Sequence, residues 1–97
     1  MIPFTFELMG RTVTVRLKDK EYFEDLNAVG HWNPDTHVIS ISDELPEEGQ
    51  QQAFYHEFMH AAFDSLGQHK LSSDEKLVDQ MGSLILQMLK TRGNVAS

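Results

Sequence analysis

Apolar and polar residues alternate along the first eighteen positions: Phe4, Phe6 and Leu8 flank Thr5 and Glu7, and Val13, Val15 and Leu17 flank Thr14 and Arg16. With Gly10 between the two runs, this period of two predicts a β-hairpin with one apolar face and one wet face. Asp19 to Leu26 is densely charged and fits a helical turn or a short helix. From Ala28 to Ser42 a second strand pair is expected, turning at Asn33-Pro34-Asp35, with the β-branched run Thr36 to Ile41 as its stronger member. The period then changes. From about Glu47 to Leu66, residues Ala53, Phe54, Phe58, Ala61, Ala62 and Leu66 recur at helical spacing, and Gly67 stands where a left-handed residue would end the helix. After a polar connection, Ser72 or Ser73 can cap a second helix, over about 73 to 90, that carries Leu77, Val78, Met81, Leu84, Ile85, Met88 and Leu89. Thr91 to Ser97 read as a frayed tail. Strands followed by helices predict an α+β fold: a small, mostly antiparallel sheet of about four strands within residues 4–42, with two long helices on one face.

Composition narrows what such a fold can do. Ninety-seven residues, 40% of them hydrophobic, are enough for one core, so residues 1–97 are expected to form a single domain. Fifteen acidic against eight basic residues give a formal net charge of -7, which argues against a nucleic-acid partner, because that affinity comes from clustered Lys and Arg. No cysteine is present, so a metal site has to be built from His and carboxylates, and a reducing compartment fits. The N-terminus lacks the basic flank and apolar run of a signal peptide, and the apolar stretch around Leu84–Leu89 is far short of the roughly 20 residues that cross a bilayer. The expectation is a cytoplasmic protein with no membrane partner.

The chemistry lies in the first long helix, where His56-Glu57-Phe58-Met59-His60 forms an HExxH motif. Residues four apart share a helix face, so the two imidazoles can converge on one zinc ion. Glu57 sits about 100° round the helix from His56, placed to accept a proton from a zinc-bound water without itself being a ligand. A catalytic zinc usually takes three protein ligands, and the second helix offers Glu75 and Asp79, four apart. Both have competing readings. Ser72-Ser-Asp-Glu75 is also a capping box, in which Glu75 would bond back to the cap, and Asp79 is either a carboxylate that fixes a ligand histidine's tautomer or a solvated helix charge.

His56-Glu57-x-x-His60-Ala61-x-x-Asp64, followed by Glu75-x-x-x-Asp79-x-x-Gly82, resembles the gluzincin metallopeptidases, the thermolysin-like group, over roughly residues 53–86. Given its size, the chain is most similar to the minigluzincins, single small domains. That resemblance implies a zinc-dependent peptidase acting on peptide or protein substrates, with His56, His60 and Glu75 as zinc ligands, Glu57 as general base and Asp79 as the partner of a ligand histidine. It also implies that a later strand, here His37 to Ser42, offers its edge to an extended peptide. Larger gluzincins supply oxyanion-stabilising residues from a subdomain this chain lacks, so that role has no assignment. Latency or dependence on a partner is compatible with so small a cleft.

Other polar residues compete for roles at the same site. Asp64, one turn beyond His60, is expected to orient a neighbour. His69 lies between the helices, either solvated or close enough to approach the metal or an oxyanion. His31 and His37 read as structural residues on the strand pair, and Trp32 as a core or sheet-face anchor. An open strand edge can be covered by a second copy, so monomer and homodimer both fit. A competing function is a non-catalytic, zinc-stabilised regulatory or interaction module, since a chain this short buries a modest core; Glu57 argues against it, because a structural site has no use for an acid between its histidines.

Overall fold

The computed structural model describes residues 2–95; Met1, Ala96 and Ser97 lie outside the described residues. The chain runs β1 (Thr5–Leu8), β2 (Arg11–Lys18), α1 (Lys20–Glu24), β3 (Gly30–Asn33), β4 (Val38–Ser42), α2 (Glu47–Ser65), α3 (His69–Ser72) and α4 (Glu75–Thr91). β1 and β2 form the expected hairpin, with Leu8 opposite Arg11. Its two turn residues, Met9 and Gly10, have φ of 53° and 80°, the paired positive values that match the twist of the flanking strands. α1 is the short helix allowed by the charged segment, capped by Asp19, whose Oδ1 accepts from Tyr22 N–H at 3.1 Å. At the β3–β4 turn, Asn33 Oδ1 accepts from the backbone N–H groups of Asp35 and Thr36.

The strand order is β1-β2-β4-β3. The two hairpins are antiparallel, but the central β2–β4 pairing is parallel, Val15 opposite Ile39 and Leu17 opposite Ile41, so the expected mostly antiparallel sheet is a mixed one. Turn residues between sequence neighbours signal hairpins; nothing comparably local signals a pairing made after α1 carries the chain back across the sheet. The same order corrects the expected substrate strand. β4 is interior and paired on both sides, and the edge strands are β1 and β3, of which β3 lies beside the candidate site. Burial explains the placement: Ile39 and Ile41 are buried on one face and Ser40 and Ser42 on the other, as befits a central strand.

Val13, Val15, Ile39 and Ile41 from the sheet meet Ala53, Phe54 and Ala61 of α2 to form the core. α2 therefore lies directly on the sheet, and α4 packs against α2. α2 ends as predicted at Gly67, φ 73°, with Gly67 N–H donating to Asp64 O and Gln68 N–H to Phe63 O, the paired bonds of a Schellman cap. The connection beyond it contains the one-turn α3, which holds Ser72, so neither Ser72 nor Ser73 caps the next helix. Asp74 does, its Oδ1 accepting from Leu77 N–H at 3.1 Å. Of the expected frayed tail, Thr91 closes α4, Arg92–Val95 have no regular structure, and the rest is outside the described residues.

α2 and α4 run antiparallel, joined by polar contacts at successive turns of α2: Glu48 with Lys90 at 2.7 Å, Gln52 with Ser83 at 2.7 Å, His56 with Asp79 at 3.4 Å and His60 with Glu75 at 3.2 Å. Their approach is fixed by Gly82. A Cβ there would lie 3.0 Å from Tyr55 C, Tyr55 O and His56 N, all backbone atoms that cannot swing aside. Gly82→Ala should gain about 1 kcal/mol of helix propensity yet lose about 1–3 kcal/mol to overpacking, a net destabilisation. Urea unfolding checks this, and wild-type stability in the variant would contradict the tight crossing.

Candidate metal centre

His56 and His60 project from one face of α2 because they are one turn apart, and α4 brings Glu75 to them because its first turn starts opposite His60. Glu75 Oε2 is 3.2 Å from His56 Nε2, and its Oε1 is 3.2 Å from His60 Nε2. The three ligand atoms all lie within 4.8 Å of one another, so the group can hold a metal ion. Two donors each about 2.1 Å from one tetrahedral ion stand about 3.4 Å apart, which these spacings approach.

The outer hydrogen bonds decide what faces inward. Asp79 Oδ1 lies 3.4 Å from His56 Nδ1, so the carboxylate accepts that ring's N–H. Ser72 Oγ donates to His60 O at 3.4 Å; with its single proton so engaged, it accepts from His60 Nδ1–H at 3.3 Å. Both rings then face the Glu75 carboxylate with Nε2. A cation placed among these groups would be shared by the two Nε2 atoms and the Glu75 carboxylate, and this His-His-Glu donor set could hold a metal ion. Glu75 is not the partner of a capping box, because Asp74 rather than Ser72 caps α4, and Asp79, though largely exposed, lies 3.4 Å from His56.

Glu57 lines the same cavity, of about 380 Å³, yet is only 8% exposed. Gly30 of β3 lies against it: a Cβ at Gly30 would meet Glu57 Cγ at 3.0 Å and Oε2 at 3.1 Å. Burial pushes the Glu57 carboxyl above the usual carboxylate range; charge on His56 and His60 lowers it, Glu75 raises it, and a hydrogen bond from the Trp32 backbone N–H lowers it.

Asp64 orients neighbours, as expected. Its Oδ2 accepts from Trp32 Nε1–H at 3.0 Å and its Oδ1 lies 3.3 Å from His69 Nδ1. That contact draws His69 away from the triad, and it does not line the triad's cavity. Trp32 is half-buried and packs against the core. His31, read as structural, does line the cavity; its Nδ1 is buried with no partner among the described residues. Sequence reasoning missed Gly30 and the role of Ser72. A glycine opening a strand was the available signal for the first, since it marks close approach of other atoms.

Compared with known proteins, the chain has no matching family model, no matching curated protein and no matching solved structure.

The raised Glu57 carboxyl carries a stability consequence for the metal-free protein. Ionising this group is harder folded than unfolded, so its charge destabilises the fold at neutral pH, and the effect fades as pH falls below the unfolded value. Metal-free Glu57→Gln should be more stable than wild type at pH 7 and converge with it in acid, as read by thermal melts across pH. A variant less stable at pH 7 would contradict the burial argument.

Proposed function

We propose that the chain is a zinc-dependent peptidase of gluzincin type, with His56, His60 and Glu75 as ligands and Glu57 as the general base; a cytoplasmic setting belongs to the same reading. The observation that carries it is a buried, ionisable Glu57 sharing one cavity with an open three-ligand cluster. Zinc, when bound, supplies a Lewis acid and lowers the pKa of water to about 7. Glu57 takes a proton from the attacking water and returns it to the leaving amine, a task suited to a carboxyl whose affinity for protons is raised. Gly30 keeps the space beside it clear for that carboxylate alone.

Substrate is held by the open edge of β3 in this reading. Ser42 N–H donates to Val29 O and His37 N–H to Asn33 O, so odd-numbered residues of this segment turn toward β4 and the even ones, Gly30 and Trp32, turn outward. Trp32 N–H serves Glu57, and the remaining backbone groups at the edge can pair with an extended peptide. An apolar cleft of about 380 Å³, lined in part by Val29, Leu45 and Ala53, adjoins the site and suits an apolar side chain. Glu75 is 69% exposed, and so open a centre supports weak action on free peptides and reliance on a partner or latency for selectivity.

Native mass spectrometry of the zinc-supplied protein should find one zinc per chain, lost in His60→Ala and weakened in Glu75→Ala. Asp79→Asn should weaken zinc binding about 10- to 100-fold through the histidine it orients. Glu57→Gln should retain zinc while peptide turnover falls about 10²- to 10⁴-fold. Wild-type turnover by that variant would remove the mechanism, and a failure to bind zinc at neutral pH would remove the site.

A further inference from the structure

A third cleft, of about 480 Å³, adjoins the candidate metal cavity, and the two share Trp32, Pro34 and Asp64. Its far wall carries Arg11, His37 and His69. Arg11 comes from the start of β2 and His37 from the β3–β4 turn, where a left-handed backbone, φ 56°, accompanies a ring stacked 5.9 Å from the Trp32 indole. Two non-glycine residues in that conformation, Met9 and His37, line this one cleft.

Its hydrogen bonds leave the wall rich in donors. Arginine has five N–H donors and no acceptor, so in the 3.1 Å contact of Arg11 Nη1 with His37 Nε2 the imidazole is the acceptor, and its proton is on Nδ1. Both oxygens of Asp64, the acid of the cleft, are already engaged, by Trp32 Nε1–H and by His69. Arg11 has no carboxylate partner among the described residues. Four N–H bonds of a guanidinium therefore remain for a ligand, in a geometry that matches a carboxylate.

We infer that this cleft is a carboxylate-binding subsite of the same groove, in which Arg11 holds an anionic group of a peptide whose scissile bond lies at the metal. The inference rests on the peptidase reading for what lies at the metal, and on the cleft itself for the anion. From His60 to Asp64 is one helical turn, about 6 Å. At about 3.4 Å per residue, an extended chain enters the cleft about two residues from that bond. The anion is either the peptide's own C-terminal carboxylate, which would make the enzyme trim short pieces from chain ends, or an acidic side chain within a longer chain.

The test uses zinc-loaded, full-length Glu57→Gln, so that ligands are not consumed, with Trp32, the only tryptophan, as fluorescent reporter. Three probes are titrated: N-acetyl-tetra-alanine with a free carboxylate, its C-terminal amide, and the amide with one alanine replaced by Asp. At least one carboxylate-bearing probe should bind 5-fold or more tighter than the neutral amide. That preference should vanish with added Arg11→Gln and return in part with Arg11→Lys, at unchanged zinc content. Preference for the free acid assigns the terminal carboxylate; preference for the Asp amide assigns the side chain. Equal binding of all three, no binding at millimolar concentration, or a preference surviving Arg11→Gln overturns the subsite, the last because the anion would then be sitting on the metal. If wild type cleaves the neutral amide without any anion preference, the subsite fails and the peptidase reading stands. If an Arg11-dependent preference coexists with no cleavage of any probe by wild type, the peptidase reading fails and the subsite stands.

Discussion

The geometry of the candidate metal centre depends on how closely α4 can lie against α2. Gly82 sets that distance by presenting only a hydrogen where any side chain would strike the α2 backbone at Tyr55 and His56. With the axes so close, residues every fourth position on α2 meet residues along α4, apolar packing such as Val78 and Leu86 lies on one side of the crossing, and polar rungs lie along the other. The outermost rung, Glu48 with Lys90, is exposed, and surface pairs of this kind contribute little. The inner rungs matter for geometry. They deliver a carboxylate from one helix to two imidazoles on the other, without a loop having to hold any of the three.

The two imidazoles are not equivalent. His56 leans on a charged carboxylate, Asp79, and His60 on a neutral hydroxyl, Ser72. Ser72 in turn is held by the single turn of α3 and by the carbonyl of His60 itself, which ties the interhelical connection to the site. On the other side, β3 supplies Gly30 and the Trp32 backbone to Glu57, so the acid between the histidines is positioned by the sheet and the ligands by the helix pair.

Much of this was legible in the sequence because the signals are local. Period-two and helical spacing located the elements, Gly67 marked the end of α2, and HExxH on a helix placed His56, Glu57 and His60. Glu75 and Asp79 followed from their spacing and from the resemblance to gluzincins, and the structure brings both to His56. What the sequence hid is non-local. Nothing near Val38–Ser42 says which strand lies beside it, so β4 looked like an edge when it is central. Ser72 resembled a helix cap because serine does the same chemistry for a backbone N–H as for an imidazole. For His69 the sequence left a solvated position and one near the metal both open, because its partner, Asp64, lies a turn away at the end of α2; in the structure it is exposed and contacts Asp64 at 3.3 Å.

The parallel β2–β4 pairing also sets the order in which this fold can assemble. Both hairpins close over turns of a few residues, and the α2–α4 pair closes over the short α3 connection, so each can form early at modest loop entropy. Joining Thr14 to Val38 has to span α1 and all of β3. That seam is the long loop closure in the sheet, and it is the contact that topology makes slow. β3 belongs to the later hairpin, so the groove beside Glu57 gains its floor with α2 but its far wall, with Arg11, only once the seam is shut.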